Sequence, residues 1–237
     1  KIDFVPGCVE PGDFDPTSTS IALFPCGEMK NVPEPAFTHS FNKYYEWFVQ
    51  RAQNEIEWEA YTPYEIRNVG TFIYRGQKER AHKVLEWFMH YQRPQGWNHW
   101  AEVVWHDERV PRFIGDMPHT WVGSDFINAI RAMFIYETDT ALVVGAGLKD
   151  EWVKHGLSVE RLSTHFGTLS YSIASSALSS ITIRLEGSID ARVSPLLLPV
   201  TLLSSSLAFA KVDGVLVQPN RGFVEVTHLP ATVVLYY

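Results

Sequence analysis

A loop rich in tryptophan, histidine and carboxylate side chains lies between Gln95 and Asp125. Flat indole faces stack on the C–H faces of pyranose rings, and histidine and indole N–H groups donate hydrogen bonds to hydroxyls. A carboxylate held among such groups can activate water for glycosidic-bond hydrolysis. The loop therefore predicts carbohydrate chemistry. Its tryptophan and histidine residues are Trp97, His99, Trp100, Trp105, His106, His119 and Trp121.

Glu102 is the candidate catalytic residue of this loop. It precedes a helix that we expect to be buried, so neighbouring N–H donors can fix its carboxylate while it faces a cavity. A general base of this kind is an ionised carboxylate close to one water molecule. The alternative is a structural role, in which Glu102 lies in a short strand or turn and pairs with Arg109 or Arg112.

The tryptophans and histidines around Glu102 are candidate substrate-binding residues. Trp97, Trp100 and Trp121 either floor a sugar subsite or fill the core between helix ends. His99 and His119 either bind sugar hydroxyls or make structural hydrogen bonds. The histidine spacings match no zinc motif, so we predict neither a metal nor a cofactor.

Four charged residues near helix starts complete the candidate set. Asp116 fits an N-cap, a role compatible with binding a substrate hydroxyl. Glu65 and Arg67 can reach the rim of the same pocket, or Glu65 is the reciprocal partner of Thr62 in a capping box. Asp125 is either a buried partner of a neighbouring histidine or a solvated side chain.

The apolar spacing is helical from about residue 15 to residue 137. It predicts five helices, which resemble consecutive members of helical hairpins. The last of them is apolar on more than one side, so we expect it to be buried. The predicted ranges are about 15–24, 39–53, 62–76, 78–92 and 120–137.

Beyond Glu137 the pattern changes to short, β-branched or alternating segments. These segments predict an antiparallel β-sandwich that supports the helices. We therefore expect an α + β chain with two domains, residues 1–137 and 138–237. The predicted strands are Ala141–Val144, Gly167–Ile173, Ile181–Glu186, Phe223–Thr227 and Ala231–Tyr237.

Composition excludes several classes of protein. The 237 residues are 46% hydrophobic, which is enough for a buried core, and no apolar stretch is long enough to cross a bilayer. The formal charge of −7, with no run of Lys or Arg, argues against nucleic acid and anionic membranes as partners. Cys8 and Cys26 lack metal-site spacing; we expect buried free thiols, with a disulfide as the alternative if the protein is exported.

Three segments carry a resemblance to a known family: Asp15–Ser20, Trp100–Glu102 and Gly115–Trp121, the last reading G-D-M-P-H-T-W. With the switch from helices to strands, they resemble the C-terminal part of six-hairpin glycosidases, the α/α-toroid glycoside hydrolases. The resemblance implies an inverting hydrolase in which Glu102 activates water. Glu102 would lie in the loop ahead of the helix that starts at Thr120.

The same resemblance implies that the chain is incomplete. We expect the remaining toroid helices to precede Lys1 and a companion polypeptide, the N-terminal portion of the same enzyme, to cover the apolar surface left open. It also implies that the general acid lies there, although Glu10, Asp13 or Asp15 can supply it. We expect a secreted or periplasmic protein.

Two competing functions fit the same residues. One is a non-catalytic carbohydrate-binding or assembly module, in which the tryptophans bind glycan without a catalytic carboxylate. The other is a polysaccharide lyase on the same toroid, which needs a Tyr or His base and a cation to neutralise a uronate. Arg109 and Arg112 are the candidate cations for the lyase.

Overall fold

The computed structural model describes residues 3–8, 10, 12–109, 115–176 and 180–237. Helices and β-sheets are both present, so the chain is α + β. It divides into two compact units, Lys1–Ile130 and Arg131–Tyr237. This boundary precedes the expected one because residues Ile135–Glu137 form a strand that pairs within the second unit instead of continuing the preceding helix.

The α-helices of the described chain are short to medium in length. They are α1 (Pro16–Thr19), α2 (Ala36–Ala52), α3 (Arg67–Tyr74), α4 (Lys78–His90), α5 (Thr120–Phe134) and α6 (Asp150–His155). Two 3₁₀ helices, Ser20–Ala22 and Pro63–Ile66, continue α1 and precede α3. Asp15 caps α1 by accepting a hydrogen bond from the Ser18 N–H at 2.9 Å, as Asp-Pro at a helix start predicts.

Aromatic side chains form the core between α2, α3 and α4. Phe41 and Tyr44 of α2 contact Phe72 of α3 at centroid distances of 6.4 and 6.2 Å. Phe48, one turn further along α2, lies 5.9 Å from Trp87 of α4. Such ring pairs add about 0.5–1.5 kcal/mol each beyond area burial, so this cluster fixes the three helices to one another.

A two-stranded sheet brings two distant segments of the first unit together. Strand β1 (Ala60–Tyr61) pairs antiparallel with β2 (Val104–Trp105), with Tyr61 opposite Val104. Tyr61 and Val104 are both buried. Because of this pairing, the residues that follow β1 lie beside those that precede β2, which include Glu102.

The prediction that the fifth helix is buried on several sides is wrong. Val122 and Met133 of α5 are fully buried, but Trp121 and Ile127 are 61% and 65% exposed. The helix therefore packs along one face, and Trp121 and Ile127 on another face are open to solvent. The helix also ends at Phe134, before the expected end at Glu137.

The described residues of the second unit form two sheets. Its strands are β3 (Ile135–Glu137), β4 (Leu142–Val144), β5 (Leu157–Thr164), β6 (Gly167–Ser176), β7 (Ser180–Gly187), β8 (Leu196–Pro199), β9 (Phe209–Val212), β10 (Val215–Val217), β11 (Phe223–Val226) and β12 (Ala231–Tyr236). The six-stranded sheet has the order β10-β9-β12-β7-β6-β5 and the four-stranded sheet the order β11-β8-β4-β3. Every pair is antiparallel except β4 with β8, so the all-antiparallel expectation is wrong for the smaller sheet.

Both sheets contribute to one hydrophobic core. Ile183 and Val233 of the larger sheet and Leu142 and Val224 of the smaller sheet are fully buried in the same cluster. Burial of apolar surface at roughly 25 cal/mol per Å² is the main stabilising contribution in such a core. The unit thus has a core of its own.

Two further observations concern the chain as a whole. Cys8 and Cys26 are exposed free thiols, so the expectation that they are buried is wrong. No helix in the described part of the chain combines the length and hydropathy that a membrane span requires.

Candidate functional site

Glu102 is held between the segment before β2 and the segment before α5. Its N–H donates to the Asp116 carbonyl at 3.1 Å, and the Asp116 N–H donates to Glu102 Oε2 at 3.2 Å. Thr62 is the residue that follows β1, and its hydroxyl donates to the Glu102 carbonyl at 3.0 Å. The backbone and one carboxylate oxygen of Glu102 are therefore fixed by two neighbouring segments.

Gly115 is the closest backbone neighbour of the Glu102 side chain. Its φ of +69° is a left-handed conformation that favours glycine. A Cβ atom at this position would lie 2.1 Å from Glu102 Oε2. Only a glycine lets the chain pass so close to the carboxylate.

Glu102 is half-buried, and within the described ranges no cation lies within ion-pair distance of it. Arg109, expected from the sequence as an alternative partner of Glu102, is exposed. Its backbone N–H donates to the Asp107 carboxylate at 2.9 Å. Arg112, the other alternative partner, lies outside the described residues. The structure thus shows a glutamate in contact with solvent and bonded to a backbone donor.

His119 lies between Tyr64 and Asp116. Its Nε2 is hydrogen-bonded to the Tyr64 hydroxyl, and its Nδ1 lies 3.8 Å from Asp116 Oδ2. Burial raises the pKa of Tyr64, and the negative charge of Glu102 raises it further. Tyr64, Glu102, Asp116 and His119 therefore form one cluster, which we call the Tyr64 cluster.

Sequence reasoning missed Tyr64. Its only local signal is its place in Thr62-Pro63-Tyr64-Glu65, where Thr62 accepts the Tyr64 N–H at 3.4 Å and starts the 3₁₀ helix. Its partner His119 is 55 residues further along the chain. The β1–β2 pairing, the Thr62–Glu102 and Glu102–Asp116 hydrogen bonds and the Arg67–Asp125 ion pair bring these two segments together.

The N-cap expectation for Asp116 is wrong, because α5 begins at Thr120. The Asp116 side chain is 86% exposed instead. This leaves its carboxylate open to a ligand.

Arg67 and Asp125 form a buried ion pair beside the cluster. Arg67 Nε donates to Asp125 Oδ2 at 2.7 Å, and its guanidinium lies 4.6 Å from the centre of the Tyr64 ring and 5.3 Å from that of Trp121. Burial raises the pKa of Asp125, although the positive charge of Arg67 opposes this shift. Arg67 supports the cluster from behind, so its predicted role at a substrate rim is not what its contacts show.

Glu65 lies in a different environment from the one predicted. It is 5% exposed, and Arg51 donates two hydrogen bonds to it, at 2.9 and 2.6 Å. Tyr44 adds a third hydrogen bond at 3.1 Å. Both the substrate-binding prediction and the capping-box alternative are wrong, because the carboxylate is bound within the helical core.

The three predicted tryptophans differ in exposure. Trp100 is 4% exposed and packs 5.3 Å from Phe126, so it is a core residue that does not offer a free stacking face. Trp97 and Trp121 are 63% and 61% exposed. The Trp121 and Tyr64 rings pack edge to face, with their centroids 5.5 Å apart. Trp121 therefore places an exposed indole beside the Tyr64 cluster.

An open groove of about 660 Å³ runs beside the cluster, between the end of α4 and the first turns of α5. It is bounded by three predicted site residues, His99, Trp100 and His119. Its polar lining includes Gln92 and Asn128, whose amides can both donate and accept. The volume lies in the range of small-molecule sites.

A smaller groove of about 320 Å³ lies on the other side of the Glu102 segment. Ala101, Val103 and Trp105 line it, together with Arg93 and Glu108, which pair at 2.9 Å. Glu102 itself lines neither groove. Asp116 lies between the Glu102 carboxylate, to which its N–H donates, and His119, which lines the larger groove.

Two of the three carboxylates considered as general acids have local structural roles. Asp13 accepts the Cys8 N–H at 2.8 Å, and Asp15 caps α1. Glu10 is exposed. Across the described residues, no group of three His, Cys, Asp or Glu side chains is arranged to hold a metal ion.

Comparisons of the chain with protein-family models, with curated proteins and with solved structures found no match. The candidate site is therefore defined by its geometry: a backbone-anchored glutamate, a tyrosine–histidine hydrogen bond and an adjoining polar groove.

Proposed function

We propose that the first unit carries the water-activating half of a glycoside hydrolase site, with Glu102 as the general base. The observation that carries this proposal is the environment of the Glu102 carboxylate. The carboxylate is half-buried, accepts a backbone hydrogen bond at 3.2 Å and has no ion-pair partner among the described residues. A base must be fixed in position and still be able to accept a proton, and this environment meets both needs.

The groove supports a carbohydrate as the ligand. Amide, hydroxyl and imidazole groups line it together with apolar side chains, and sugars present hydroxyls and C–H faces to match both. The exposed Trp121 beside the Tyr64 cluster offers an indole face for a ring at its edge. We propose an inverting mechanism, whose proton donor lies about 6.5–9.5 Å from the base across the sugar.

A polysaccharide lyase is the second candidate, because the hydrogen-bonded Tyr64 and His119 can supply the tyrosine or histidine base that a lyase needs. Charge argues against this function. The carboxylates of Glu102 and Asp116 lie beside the tyrosine and would repel a uronate, and Arg67, the cation next to the Tyr64 ring, is bound to Asp125. The candidate cation Arg109 is exposed, and Arg112 lies outside the described residues. A neutral sugar suits the described residues better.

We further propose that the helices belong to an α/α toroid of the six-hairpin type, with the second unit as its β-sandwich support. The N-terminal portion of the same enzyme, as a companion chain, would complete the toroid. The exposed apolar residues of the first unit support this, since Met89, Trp97, Trp121 and Ile127 are each at least 46% exposed. Scattered exposure is normal for single residues, but four large ones in one small unit favour a covering partner.

The test compares the full chain with its Glu102→Gln and Glu57→Gln variants, with and without the proposed companion. Glu57 is an exposed glutamate of the same unit with no ion pair in the described chain, so its variant is the matched control. We measure release of reducing ends from a panel of polysaccharides, and glycan binding by saturation-transfer NMR. For a hydrolase, Glu102→Gln lowers turnover about 100- to 10,000-fold with binding retained, and Glu57→Gln changes neither.

Other outcomes identify the competing functions. Products that absorb in the ultraviolet as unsaturated uronates identify a lyase. Glycan binding without turnover, unchanged by Glu102→Gln, identifies a binding module. Either result contradicts the assignment of Glu102 as a base.

A further inference from the structure

The Tyr64 cluster contains a donor and an acceptor that face each other without bonding. His119 Nδ1 and Asp116 Oδ2 are 3.8 Å apart, which is too far for a direct hydrogen bond. Asp116 is largely exposed, and His119 lines the groove of about 660 Å³. The space between the two atoms is therefore open to a ligand.

The hydrogen bond from Tyr64 decides which atom of His119 carries the proton. A neutral imidazole has one N–H donor and one acceptor nitrogen. Burial and the nearby negative charge of Glu102 raise the pKa of Tyr64, so its hydroxyl is neutral and can either donate or accept. The carboxylate of Asp116, which can only accept, lies opposite Nδ1, and this geometry assigns the Tyr64 hydroxyl as the donor to Nε2. The proton of a neutral His119 then resides on Nδ1, the nitrogen that faces Asp116.

An Nδ1–H group beside a carboxylate matches one chemical group well. A hydroxyl accepts one hydrogen bond and donates another, so it can bridge the imidazole and Asp116 Oδ2. An anionic group would meet the carboxylates of Asp116 and Glu102, and an ammonium group would meet the N–H of His119. The arrangement selects an alcohol.

We propose that Tyr64 is a positioning residue, which holds His119 in the Nδ1–H tautomer so that His119 and Asp116 together bind one hydroxyl of the sugar. The identity of the ligand as a sugar rests on the proposed function. The tautomer does not, because it follows from the contacts of the free protein. The two parts can therefore be tested separately.

The first experiment measures the tautomer of His119 by nitrogen-15 NMR of the full chain in mildly alkaline solution, above the ordinary histidine pKa of about 6.5. We expect a protonated Nδ1 and an unprotonated Nε2 in the wild type. Tyr64→Phe should convert this to a mixture of tautomers or to the Nε2–H form. The matched control is Tyr45→Phe, which removes a hydroxyl that has no hydrogen-bond partner in the described chain from a half-buried tyrosine of α2.

An Nε2–H tautomer in the wild type, or a tautomer unchanged by Tyr64→Phe, overturns the proposal. These readings need no substrate. They are therefore independent of whether the chain hydrolyses glycans.

The second experiment uses a panel of methyl glycopyranosides and their monodeoxy analogues as probes. Loss of one well-placed hydrogen bond weakens binding about 2- to 10-fold, so we expect Tyr64→Phe to raise the Kd by this factor. One monodeoxy analogue, lacking the bridging hydroxyl, should bind wild type and Tyr64→Phe equally. In a His119→Asn background, whose amide is a donor without tautomers, adding Tyr64→Phe should change the Kd less than about twofold.

A Tyr64→Phe effect that persists in the His119→Asn background overturns the positioning role. If no glycoside binds the wild type, the sugar assignment and the proposed function fail together, while the tautomer result stands. If glycosides bind but Tyr64→Phe has no effect, only the present inference fails.

Discussion

Asp15 and Glu65 are both carboxylates near helix starts, but their hydrogen-bond partners lie at very different distances along the chain. Asp15 was identifiable as a helix cap because a cap bonds to a residue only three positions away. Glu65 was misassigned because its partner Arg51 belongs to a different helix. Nothing in Thr62-Pro63-Tyr64-Glu65 distinguishes a carboxylate that turns back to the helix start from one that turns into the core.

The buried pair of Arg51 and Glu65 should be essential for stability. The Arg51 guanidinium lies between the rings of Trp47 and Trp87, 4.3 and 4.4 Å from their centres, and its side chain is fully buried. Glu65→Gln removes the compensating charge, so we expect a loss of about 3–5 kcal/mol in the free energy of unfolding, measured by urea denaturation. The exposed Glu57→Gln should stay within about 0.5 kcal/mol, and a Glu65→Gln loss below about 1 kcal/mol would contradict this account.

Gly115 should be required for the position of Glu102. Gly96 is the matched control, because it has a similar φ of +78° but a Cβ added there would have no atom within 4 Å. Gly96→Ala should cost about 1–2 kcal/mol from the left-handed backbone alone. Gly115→Ala adds the contact with the Glu102 carboxylate, and we expect about 1–3 kcal/mol more in urea denaturation. Equal losses for the two variants would show that Glu102 moves aside freely.

At the scale of elements, periodicity found most helices and the strands β4, β6, β7, β11 and β12, but it did not fix their ends. The segment Phe134–Glu137 continues the apolar spacing of α5, yet Ile135 pairs with Val144 as the start of a strand. An isolated apolar run does not distinguish these outcomes, because the choice depends on a partner strand. The eight-residue β5 and the short β8, β9 and β10 were missed for the same reason.

The turn between β9 and β10 should make the second unit sensitive to acid. Asp213 has a φ of 48° and accepts the Thr232 N–H of β12 at 2.8 Å, and His228 lies 2.6 Å from its other oxygen. The backbone hydrogen bond, followed by that of His228, lowers the pKa of Asp213 below its ordinary 3.8. The resulting stability is present above pH 3.8 and is lost as the pH falls through the lowered pKa.

Asp213→Asn tests this linkage, because asparagine tolerates the left-handed backbone but carries no charge. Thermal unfolding should show a lower Tm for the variant at neutral pH, and the difference should vanish in strong acid. Glu186→Gln, at an exposed site of the same unit, serves as the control. A Tm difference that is constant with pH would mean that the carboxylate charge contributes nothing.

For the whole molecule, the change from helical to alternating patterns correctly separates a helical region from a strand-rich one. What the sequence did not contain was the set of contacts between segments far apart in the chain, including Tyr64 with His119 and Arg51 with Glu65. These contacts define the candidate site and its support. Glu102 was predicted from the sequence because its neighbours in the chain carry the chemical signal, and its catalytic role stays a prediction.

The second unit should fold by itself. Its core cluster draws on both of its sheets, so most of its apolar burial is internal. We expect residues 131–237, expressed alone, to give dispersed amide resonances and a cooperative thermal transition. A collapsed fragment without a transition would show that the strands depend on the helical unit.

The hydrogen bond from the Asp116 N–H distinguishes the two oxygens of Glu102. Oε2 already accepts this bond, whereas Oε1 has no hydrogen bond to the described residues. Under the proposed function, the water that attacks the sugar gives its proton to Oε1, and Oε2 stays bound to the Asp116 N–H. Because Oε1 is the oxygen that is free to accept a proton, the attack has a direction. An inhibitor that places a cationic nitrogen next to Oε1 should therefore bind more tightly than an isomer that places it next to Oε2.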